Sequence, residues 1–233
     1  MKILIFVPAR GGSKGIPGKN LINLLDKPLI GYTLDIIKEL IKNKNHEWIP
    51  FISTDDSEIS KYCKNQGFDM SYKRPKRISD DDSSVIDAIW DSNKWLNHKN
   101  IFPDAVLLLQ PTTPIRKKED IIKAINKVKA KKEFSIVSVT EMREHPNESV
   151  ILNKDGWSYL SEPSDKIVGR QQYDKNYFFI DGNFYFQSMN ILIKKNSFLI
   201  QNFTEFFILN QRWSIDIDEP DDLLVAEALL RKK

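Results

Sequence analysis

Apolar residues in this chain fall into short continuous runs that are separated by longer stretches with helical spacing. Residues 3–7, 105–109 and 134–140 are rich in apolar and β-branched side chains. Runs of this kind are typical of strands that are buried on both faces of a sheet. Residues 28–41 instead place an apolar side chain at every third or fourth position, which predicts a helix with one face on the core.

Two further segments extend the strand pattern. Residues 48–54 predict a second strand, and the start of segment 68–84 predicts a third. Strands that alternate with helices indicate an α/β fold with a mostly parallel, doubly wound sheet of the Rossmann-like type. In such sheets, ligands bind beyond the carboxyl ends of the strands. At the end of the second strand, Asp55 is predicted to cap the helix that follows.

One segment breaks the alternation of strands and helices. Residues 149–160 contain two short apolar runs, and the four residues between them, 153–156, read NKDG. Asp-Gly between strand-like runs is a strong hairpin signal, because both residues readily take the positive φ angles of a tight turn. The sequence therefore predicts one domain over residues 1–233 with an inserted β-hairpin.

Composition narrows the class of protein. A chain of 233 residues with 41% apolar residues can bury a sizeable core in one domain. Its 35 basic and 32 acidic residues are interspersed, and no basic stripe with interleaved aromatics indicates nucleic acid binding. Cys63 is the single cysteine, so an intrachain disulfide is excluded and a reducing cytoplasm is expected. No apolar run approaches ~18 residues and no signal-peptide layout is present, so neither a membrane-spanning nor an exported protein is expected.

Residues 8–20, reading PARGGSKGIPGKN, carry the clearest chemical signal. They contain four glycines and three cations, Arg10, Lys14 and Lys19, but no acid. Glycines let backbone N–H groups approach a ligand closely, and successive N–H groups form a nest for phosphate oxygens. Neither the Walker pattern nor GxGxxG fits the spacing of these glycines. The loop therefore predicts a polyanion site of another kind, and a basic surface turn is the alternative.

A pair of carboxylates lies toward the other end of the chain. Asp216 and Asp218 flank Ile217, so both would point to one side of an extended segment. Two adjacent carboxylates repel each other unless a cation joins them or one is protonated. Mg²⁺ would satisfy such a pair, because it binds one or two carboxylates together with substrate phosphates. The alternative is that one of them caps the helix predicted from Pro220 onwards.

The loop at residues 8–20 resembles the signature of the acylneuraminate cytidylyltransferases. That family uses CTP to activate nonulosonic acids of the sialic acid type as CMP-sugars. Two further segments are similar to family motifs: residues 108–116, reading LLQPTTPIR, and residues 214–218, reading SIDID. The resemblance implies an enzyme with the nucleotide-diphospho-sugar transferase type of fold. The anomeric hydroxyl of the sugar acid would attack the α-phosphorus of CTP, and pyrophosphate would leave.

The resemblance also implies roles for individual residues. Those expected to act on the phosphates in catalysis are Arg10, Lys14, Lys19 and Asp216. Those expected to bind the nucleotide are Ala9, Arg10, Gly11, Gly12, Asn20, Arg74, Ser79 and Ser84. Those expected to bind the sugar acid are Gln110, Arg170 and Tyr185. Those expected to hold Mg²⁺ are Asp216 and Asp218.

The position of the hairpin adds an expectation about assembly. In the resembled family, the insertion at this point exchanges between two subunits and completes the sugar pocket of the neighbour. The resemblance therefore implies a homodimer, or a pair of such dimers, in which residues 142–177 reach the partner. Neither nucleic acid nor a membrane is expected as a partner.

Two positions depart from the family pattern. Sialate-type enzymes present Asn-Gly where this chain has Asp181 and Gly182, and an Arg where it has Phe179. An ionised Asp cannot donate a hydrogen bond, whereas Asn can. The sugar is therefore left open, and legionaminic and pseudaminic acids are candidates. Two rival functions are a nucleotidyltransferase for 3-deoxy-manno-octulosonate or a sugar 1-phosphate, and a nucleotide-binding module without catalysis.

Overall fold

A computed structural model describes residues 1–13, 15–80, 82–142, 144–162, 177–209 and 214–232. The strands in these residues are β1 (Lys2–Pro8), β2 (Asn23–Leu24), β3 (Lys27–Pro28), β4 (Glu47–Ser53), β5 (Ala105–Leu108), β6 (Ser135–Glu141), β7 (Val150–Asn153), β8 (Gly156–Tyr159), β9 (Phe178–Ser188) and β10 (Glu205–Ile208). The helices are α1 (Leu29–Leu40), α2 (Ser57–Asn65), α3 (Val85–His98), α4 (Lys118–Val128), α5 (Met189–Lys195) and α6 (Pro220–Leu230). None of the helices in this described part is long and apolar enough to cross a membrane.

A six-stranded sheet runs through the centre of the molecule in the order β10-β6-β9-β5-β1-β4. β1 is parallel to both β4 and β5, and β6 is parallel to β10. The predicted α/β fold with a mostly parallel sheet is therefore confirmed. β9 is the exception, because it runs antiparallel to β5 and β6. The chain leaves β6 into the insertion and returns at the same end of the sheet, so no crossover restores the parallel direction before β9.

Helices cover both faces of the sheet, and β1 is buried between them. Ile3, Ile5 and Val7 lie in one core with residues of α1, α2 and α4. Leu4 and Phe6 lie in the other core with residues of α3 and α5. This two-sided burial explains why the first strand is apolar at every position, and it is the doubly wound arrangement that the sequence predicted.

The strand predicted at the start of segment 68–84 is wrong. Residues 68–75, all of them described, form no strand. The backbone N–H of Ser71 donates to Asp69 Oδ1 over 2.9 Å, a local bond that competes with pairing to a neighbouring strand. The segment meets the sheet edge through one bond, from the Arg74 backbone N–H to the Thr54 carbonyl over 3.0 Å.

The cap of α2 lies one residue beyond the predicted one. Asp56 Oδ1 accepts the backbone N–H groups of Glu58 and Ile59 at 2.8 and 2.9 Å, so Asp56 and not Asp55 caps the helix. Asp55 Oδ1 instead accepts the backbone N–H of Gly11 at 3.0 Å. The carboxylate predicted to be structural for α2 therefore anchors the glycine-rich loop.

The predicted hairpin is present between β6 and β9. β7 and β8 pair antiparallel, and Gly156 closes the turn with a φ of 138°, a conformation that favours glycine. Every residue of the two strands is exposed. Apolar side chains are among them, with Leu152 79% and Trp157 61% exposed. A two-stranded hairpin with no core of its own is marginally stable in water, and exposed apolar groups of this size are uncommon on a monomer.

Candidate active site

An open cleft lies at the carboxyl ends of β1 and β5, where ligands bind in open α/β sheets. The loop after β1, the segment before α3 and the loop after β5 form its walls. Its lining residues are Pro8, Arg10, Gly12, Ser13, Lys19, Asn20, Arg74, Ser83, Val85, Gln110, Pro111 and Thr112. Three of these carry a positive charge and none a negative charge, so the cleft is suited to an anion.

Two hydrogen bonds and the conformation of one glycine fold the glycine-rich loop onto the sheet. The backbone N–H of Gly11 donates to Asp55 at the end of β4, and Asn20 Nδ2 donates to the Arg10 carbonyl over 3.0 Å. Gly18 adopts a φ of 64° where the loop enters a short helical turn, Lys19–Leu21. That conformation is strained for other residues, which accounts for a glycine at this position. The loop is therefore held by one bond to the residues after β4 and one bond within itself, and Lys19 directly follows Gly18.

The glycine-rich loop meets the carboxylate segment directly. Lys19 Nζ donates to the Ile217 carbonyl at 2.7 Å and to Asp218 Oδ1 at 2.9 Å. A Cβ atom at Gly15 would collide with the Asp218 carbonyl, so only glycine allows this approach. The two ends of the chain, 199 residues apart for the Lys19 and Asp218 pair, thus form one site.

The segment after β5 meets the carboxylates from the other side. The backbone N–H of Ile217 donates to the Thr112 carbonyl over 2.9 Å. Asp216 is accessible to solvent, yet partial burial raises the pKa of its carboxyl, and the charge of Asp218 raises it further. Lys19 and a hydrogen bond from Thr112 act in the opposite direction on the same pKa. Two like charges therefore lie close together beside the cleft.

Neither aspartate caps α6, so the capping alternative is wrong. Glu219 is the cap, and its side chain and that of Asp222 form a reciprocal capping box. The backbone N–H of Asp218 donates to Asp222 Oδ2 over 2.9 Å, which leaves the Asp218 carboxylate directed at Lys19. Neither carboxylate predicted as a metal ligand is therefore used as a helix cap.

The donor set fits magnesium better than a metal held by protein alone. The described residues contain no group of three or more His, Cys, Asp or Glu side chains that could enclose a metal. Mg²⁺ does not need such a cage, because it binds one or two carboxylates and completes its shell with phosphates and water. Asp216 and Asp218 beside a cation-lined cleft meet that requirement.

The side-chain oxygens of Gln110 and Asp216 both lie close to Gly182. The Cβ that any other residue would place at Gly182 lies 3.0 Å from Gln110 Oε1 and 3.6 Å from Asp216 Oδ2. Gly182 also has a φ of 69°, so both its backbone angle and the space around it require glycine. The predicted sugar-binding amide and the predicted metal ligand therefore flank the same residue of β9.

Arg74 lies in the cleft wall, and the two serines predicted with it do not. Its guanidinium donates to the Ile78 carbonyl, through Nε over 2.8 Å and through Nη2, and burial lowers its pKa. Ser79 Oγ donates to the Pro75 carbonyl over 3.0 Å, which shapes the loop. Ser84 caps α3 by accepting the Ile86 N–H, and it is Ser83 that lines the cleft. The nucleotide roles of Ser79 and Ser84 stay predictions.

The remaining predicted residues lie around the cleft or outside the described chain. Ala9 is fully buried behind the loop, and its N–H donates to the Ser53 carbonyl over 2.9 Å. Tyr185 is half-buried in β9; burial raises its pKa, and the charges of Asp181 and Asp216 raise it further, so its hydroxyl lies within their electrostatic reach. Lys14 and Arg170 lie outside the described residues.

Two buried charged residues near the site were not predicted from the pattern. Arg116 is 4% exposed, and burial lowers its pKa to about 9. Asp181 is 2% exposed, and the sequence marked it only as a departure from the family pattern in the sugar region. It accepts hydrogen bonds from the Ser138 hydroxyl at 2.6 Å and from the Asn183 backbone N–H at 2.9 Å. In the sequence, Arg116 ends the segment LLQPTTPIR and is followed directly by four charged residues of the kind usually found on a surface. Its burial could therefore not be recognised from its neighbours.

Comparison with known proteins identifies the family. A family model described as cytidylyltransferase matches residues 4–203. The chain is 32% identical to the CMP-N,N'-diacetyllegionaminic acid synthase of Legionella pneumophila, over 99% of this chain and 97% of that protein. It is 29% identical to a pseudaminic acid cytidylyltransferase of Campylobacter jejuni, with the same coverage of both chains. It is 27% identical to the N-acylneuraminate cytidylyltransferase of Streptococcus agalactiae, over 96% of this chain and 52% of that protein.

Solved structures of low identity share the fold. CMP:2-keto-3-deoxy-manno-octonic acid synthetase in complex with CTP superposes with a TM-score of 0.68 at 15% identity, over 100% of this chain and 99% of that one. 4-Diphosphocytidyl-2C-methyl-D-erythritol synthase of Anaerococcus prevotii superposes with a TM-score of 0.64 at 12% identity, over 98% of this chain and 96% of that one. Taken with the family match and the relatives above, the glycine-rich loop and the cleft at the strand ends show that this chain belongs to the cytidylyltransferase family of nucleotidyltransferases.

Proposed function

We propose that the chain transfers the CMP group of CTP to the anomeric hydroxyl of a nonulosonic acid and releases pyrophosphate. The observation that carries this proposal is the contact of Lys19 with the carboxylate segment at Asp218, beside a cleft lined by cations. A reacting triphosphate needs positive side chains for its oxygens and carboxylates for a divalent ion in one place. The family and the names of the relatives support CTP as the nucleotide.

The chain itself supplies orientation and charge for this reaction. Arg10 and Lys19 bind phosphate oxygens of CTP, Arg74 contacts the nucleotide, and Gln110 contacts the sugar acid. The sugar hydroxyl attacks the α-phosphorus in line and loses its proton to solvent, the bond from the α-phosphorus to the bridging oxygen breaks, and pyrophosphate takes that electron pair. The cations stabilise the negative charge that grows on the leaving group, and the cleft holds the reactants at attack distance.

Asp216 and Asp218 are the residues that would hold Mg²⁺, which supplies further positive charge to the phosphates. Asp218 bonds Lys19 in this structure, with a side chain that is 74% exposed. An exposed carboxylate exchanges partners at little cost, because solvent already screens its ion pair. Lys19 and Asp218 therefore neutralise each other in this structure, and Asp218 would be able to hold a cation where Lys19 binds a phosphate instead.

The sugar acid is proposed to be of the legionaminic or pseudaminic type. Two relatives that match over nearly their whole length carry those sugars in their names. Positions 181 and 179 carry Asp and Phe, so they offer neither the amide nor the guanidinium of the sialate pattern. The octulosonate alternative has support only from a solved structure of 15% identity, which bears on the fold alone.

The proposal is tested by measuring pyrophosphate release with CTP, Mg²⁺ and a panel of acids: N-acetylneuraminic, legionaminic, pseudaminic and 3-deoxy-manno-octulosonic acid. We expect magnesium-dependent release with legionaminic or pseudaminic acid above the others. Binding of CTP without release with any acid would favour the non-catalytic alternative and would defeat the enzymatic proposal. Release only with octulosonic acid would replace the proposed sugar and keep the reaction class.

The exposed hairpin supports a proposed homodimer. Leu152 and Trp157 pair across β7 and β8, and apolar residues next to the hairpin, Leu160 and Phe178, are 56% and 38% exposed. A cluster of large apolar side chains outside any core of the described residues is typical of an interface. We propose that this arm, within the insertion expected at residues 142–177, packs against a second copy of the chain.

Replacing Leu152 and Trp157 together with Ser is expected to weaken the dimer by about 10²-fold or more, because two large apolar anchors are lost. Phe102→Ser is the matched control, since Phe102 is also 61% exposed but lies in the loop before β5. Molar mass from light scattering should give a dimer for the unsubstituted chain and the control, and a monomer for the double variant. A monomeric unsubstituted chain, or a double variant that stays dimeric, would contradict the proposed interface.

The cytoplasm is the proposed location. Cys63 is buried within a core, and burial raises the pKa of its thiol to about 12. A buried thiol of that kind is inert and takes no part in disulfide exchange. The proposal rests on the use of CTP and on the presence of a single cysteine, which leaves no intrachain disulfide to form.

A further inference from the structure

Arg116 is a buried cation whose hydrogen bonds join three parts of the site. Nε donates to the Asn183 carbonyl in β9 over 2.6 Å, and Nη1 donates to Thr33 Oγ1 in α1 over 2.9 Å. Nη2 donates to the Gln110 carbonyl and to Thr113 Oγ1. All four acceptors are uncharged. The guanidinium of Arg116 therefore makes several hydrogen bonds in fixed directions rather than one strong ion pair.

Two further hydrogen bonds connect the loop after β5 to β9. Thr113 Oγ1 donates to the Gly182 carbonyl over 3.2 Å, and Asn183 Nδ2 returns to the Ile115 carbonyl over 3.0 Å. The loop that begins at Gln110 is thereby fixed against the turn of β9 that contains Gly182. The side chain of Gln110 then comes within contact distance of the Gly182 position, beside Asp216.

Burying an arginine is costly, and the surroundings offset that cost. Removing a guanidinium from water disfavours its charged form, which the low pKa of Arg116 reflects. Asp181 and Asp216 act against this by electrostatic attraction. Asp181 Oδ2, though buried, makes no hydrogen bond among the described residues; burial raises the pKa of this carboxyl, and the charge of Arg116 acts in the opposite direction. A fold retains such an arrangement where an apolar residue could not hold the loops in the same register.

We propose that Arg116 is a positioning residue that sets the Gln110 side chain against Gly182 and Asp216, and so governs use of the sugar acid more than use of CTP. Arg116 does not line the cleft, so it acts through Gln110 and not by touching a substrate. The inference rests on the proposed function, in which Gln110 contacts the sugar acid. Lys19, which is expected to bind CTP, is held by Ile217 and Asp218 instead, so its position does not depend on a bond from Arg116.

Arg116→Lys tests this directly, because a lysine offers one ammonium group that cannot span three segments. We expect the KM for the sugar acid to rise by about tenfold, as for the loss of one or two buried hydrogen bonds, with the KM for CTP changed by less than about twofold. Arg231→Lys is the matched control: Arg231 is exposed at the end of α6, and this variant should behave like the unsubstituted chain.

A double-mutant cycle with Gln110→Ala separates positioning from general support. If Arg116 acts through Gln110, Arg116→Lys should lower kcat/KM for the sugar acid by less than about twofold once Gln110 is alanine. Thr33→Val supplies a second variant should Arg116→Lys fail to fold, because it removes one anchor of the guanidinium outside the cleft and keeps the side-chain shape. It should raise the same KM by about threefold, and only when Gln110 is present.

The outcomes are distinct. The positioning role would be overturned if Arg116→Lys raised the KM for CTP as much as the KM for the sugar acid. It would also be overturned if Arg116→Lys lowered kcat/KM for the sugar acid by the same factor with and without Gln110→Ala. In both cases the proposed function would stand. No pyrophosphate release by the unsubstituted chain with any acid would remove the proposed function, and this inference with it. A selective rise in the KM for the sugar acid that disappears with Gln110 supports both.

Discussion

Asp216→Asn is expected to lower kcat for pyrophosphate release by about 10²-fold or more, comparable with removal of one group that stabilises transition-state charge. The amide keeps the shape of the side chain and can still accept a hydrogen bond from Thr112, but it has no charge to attract a divalent cation. The loss should therefore appear in turnover at saturating CTP and sugar acid. Steady-state rates measured across a range of Mg²⁺ concentrations give the test.

Asp221→Asn is the matched control for this variant. Asp221 is exposed in the first turn of α6, close to Asp216 in the sequence, and no contact links it to the cleft among the described residues. Both variants should unfold at the temperature of the unsubstituted chain, because neither removes a buried apolar contact. A normal rate for Asp216→Asn would take this residue out of the proposed site and leave the metal without its more shielded ligand.

Lys19→Ala is expected to raise the KM for CTP by about 10-fold to 100-fold, the effect of losing one hydrogen bond from a charged donor to phosphate. The same change leaves Asp218 without its cation and the Ile217 carbonyl without its donor. Added negative potential beside the phosphates acts in the same direction as the lost bond. The measurement is the dependence of pyrophosphate release on CTP at a fixed, saturating sugar acid.

Lys118→Ala provides a close control for Lys19→Ala. Lys118 Nζ lies 2.9 Å from Glu39, the same separation as between Lys19 and Asp218, but its side chain is 41% exposed against 12% for Lys19. A surface ion pair of that kind contributes little, so the KM for CTP should change by less than about twofold. Similar KM values for the two variants would mean that the loop does not bind the phosphates through Lys19.

Much of the fold could be predicted because it depends on residue patterns within short segments of the chain. The first strand is apolar at each position since two layers of helices bury it, and the Asp-Gly pair marks the hairpin turn that the structure forms. The direction and place of β9 could not be predicted in this way. Its antiparallel position between β5 and β6 depends on how the chain returns from the hairpin, which no spacing within the strand encodes.

The same limit applies to single carboxylates. Asp55 and Asp56 are adjacent and both suit a helix cap, and only the backbone angles decide that Asp56 bonds α2 while Asp55 reaches Gly11. Asp218 likewise precedes a proline as a cap would, yet Glu219 takes that place. When two adjacent residues are both acidic, the backbone geometry and not the residue type decides which of them caps the helix.

Local chemistry in the sequence was enough to determine the α/β class, the inserted hairpin, the glycine-rich cationic loop and the presence of a carboxylate pair. Those features depend on residue type and on spacing within one short segment. Only the tertiary structure decided that Lys19 meets Asp218, that Gly182 lies between Gln110 and Asp216, and that Arg116 is buried behind them. Each of these joins segments far apart in the chain, and burial of a charge depends on what surrounds it, which the neighbouring residues in the sequence do not specify.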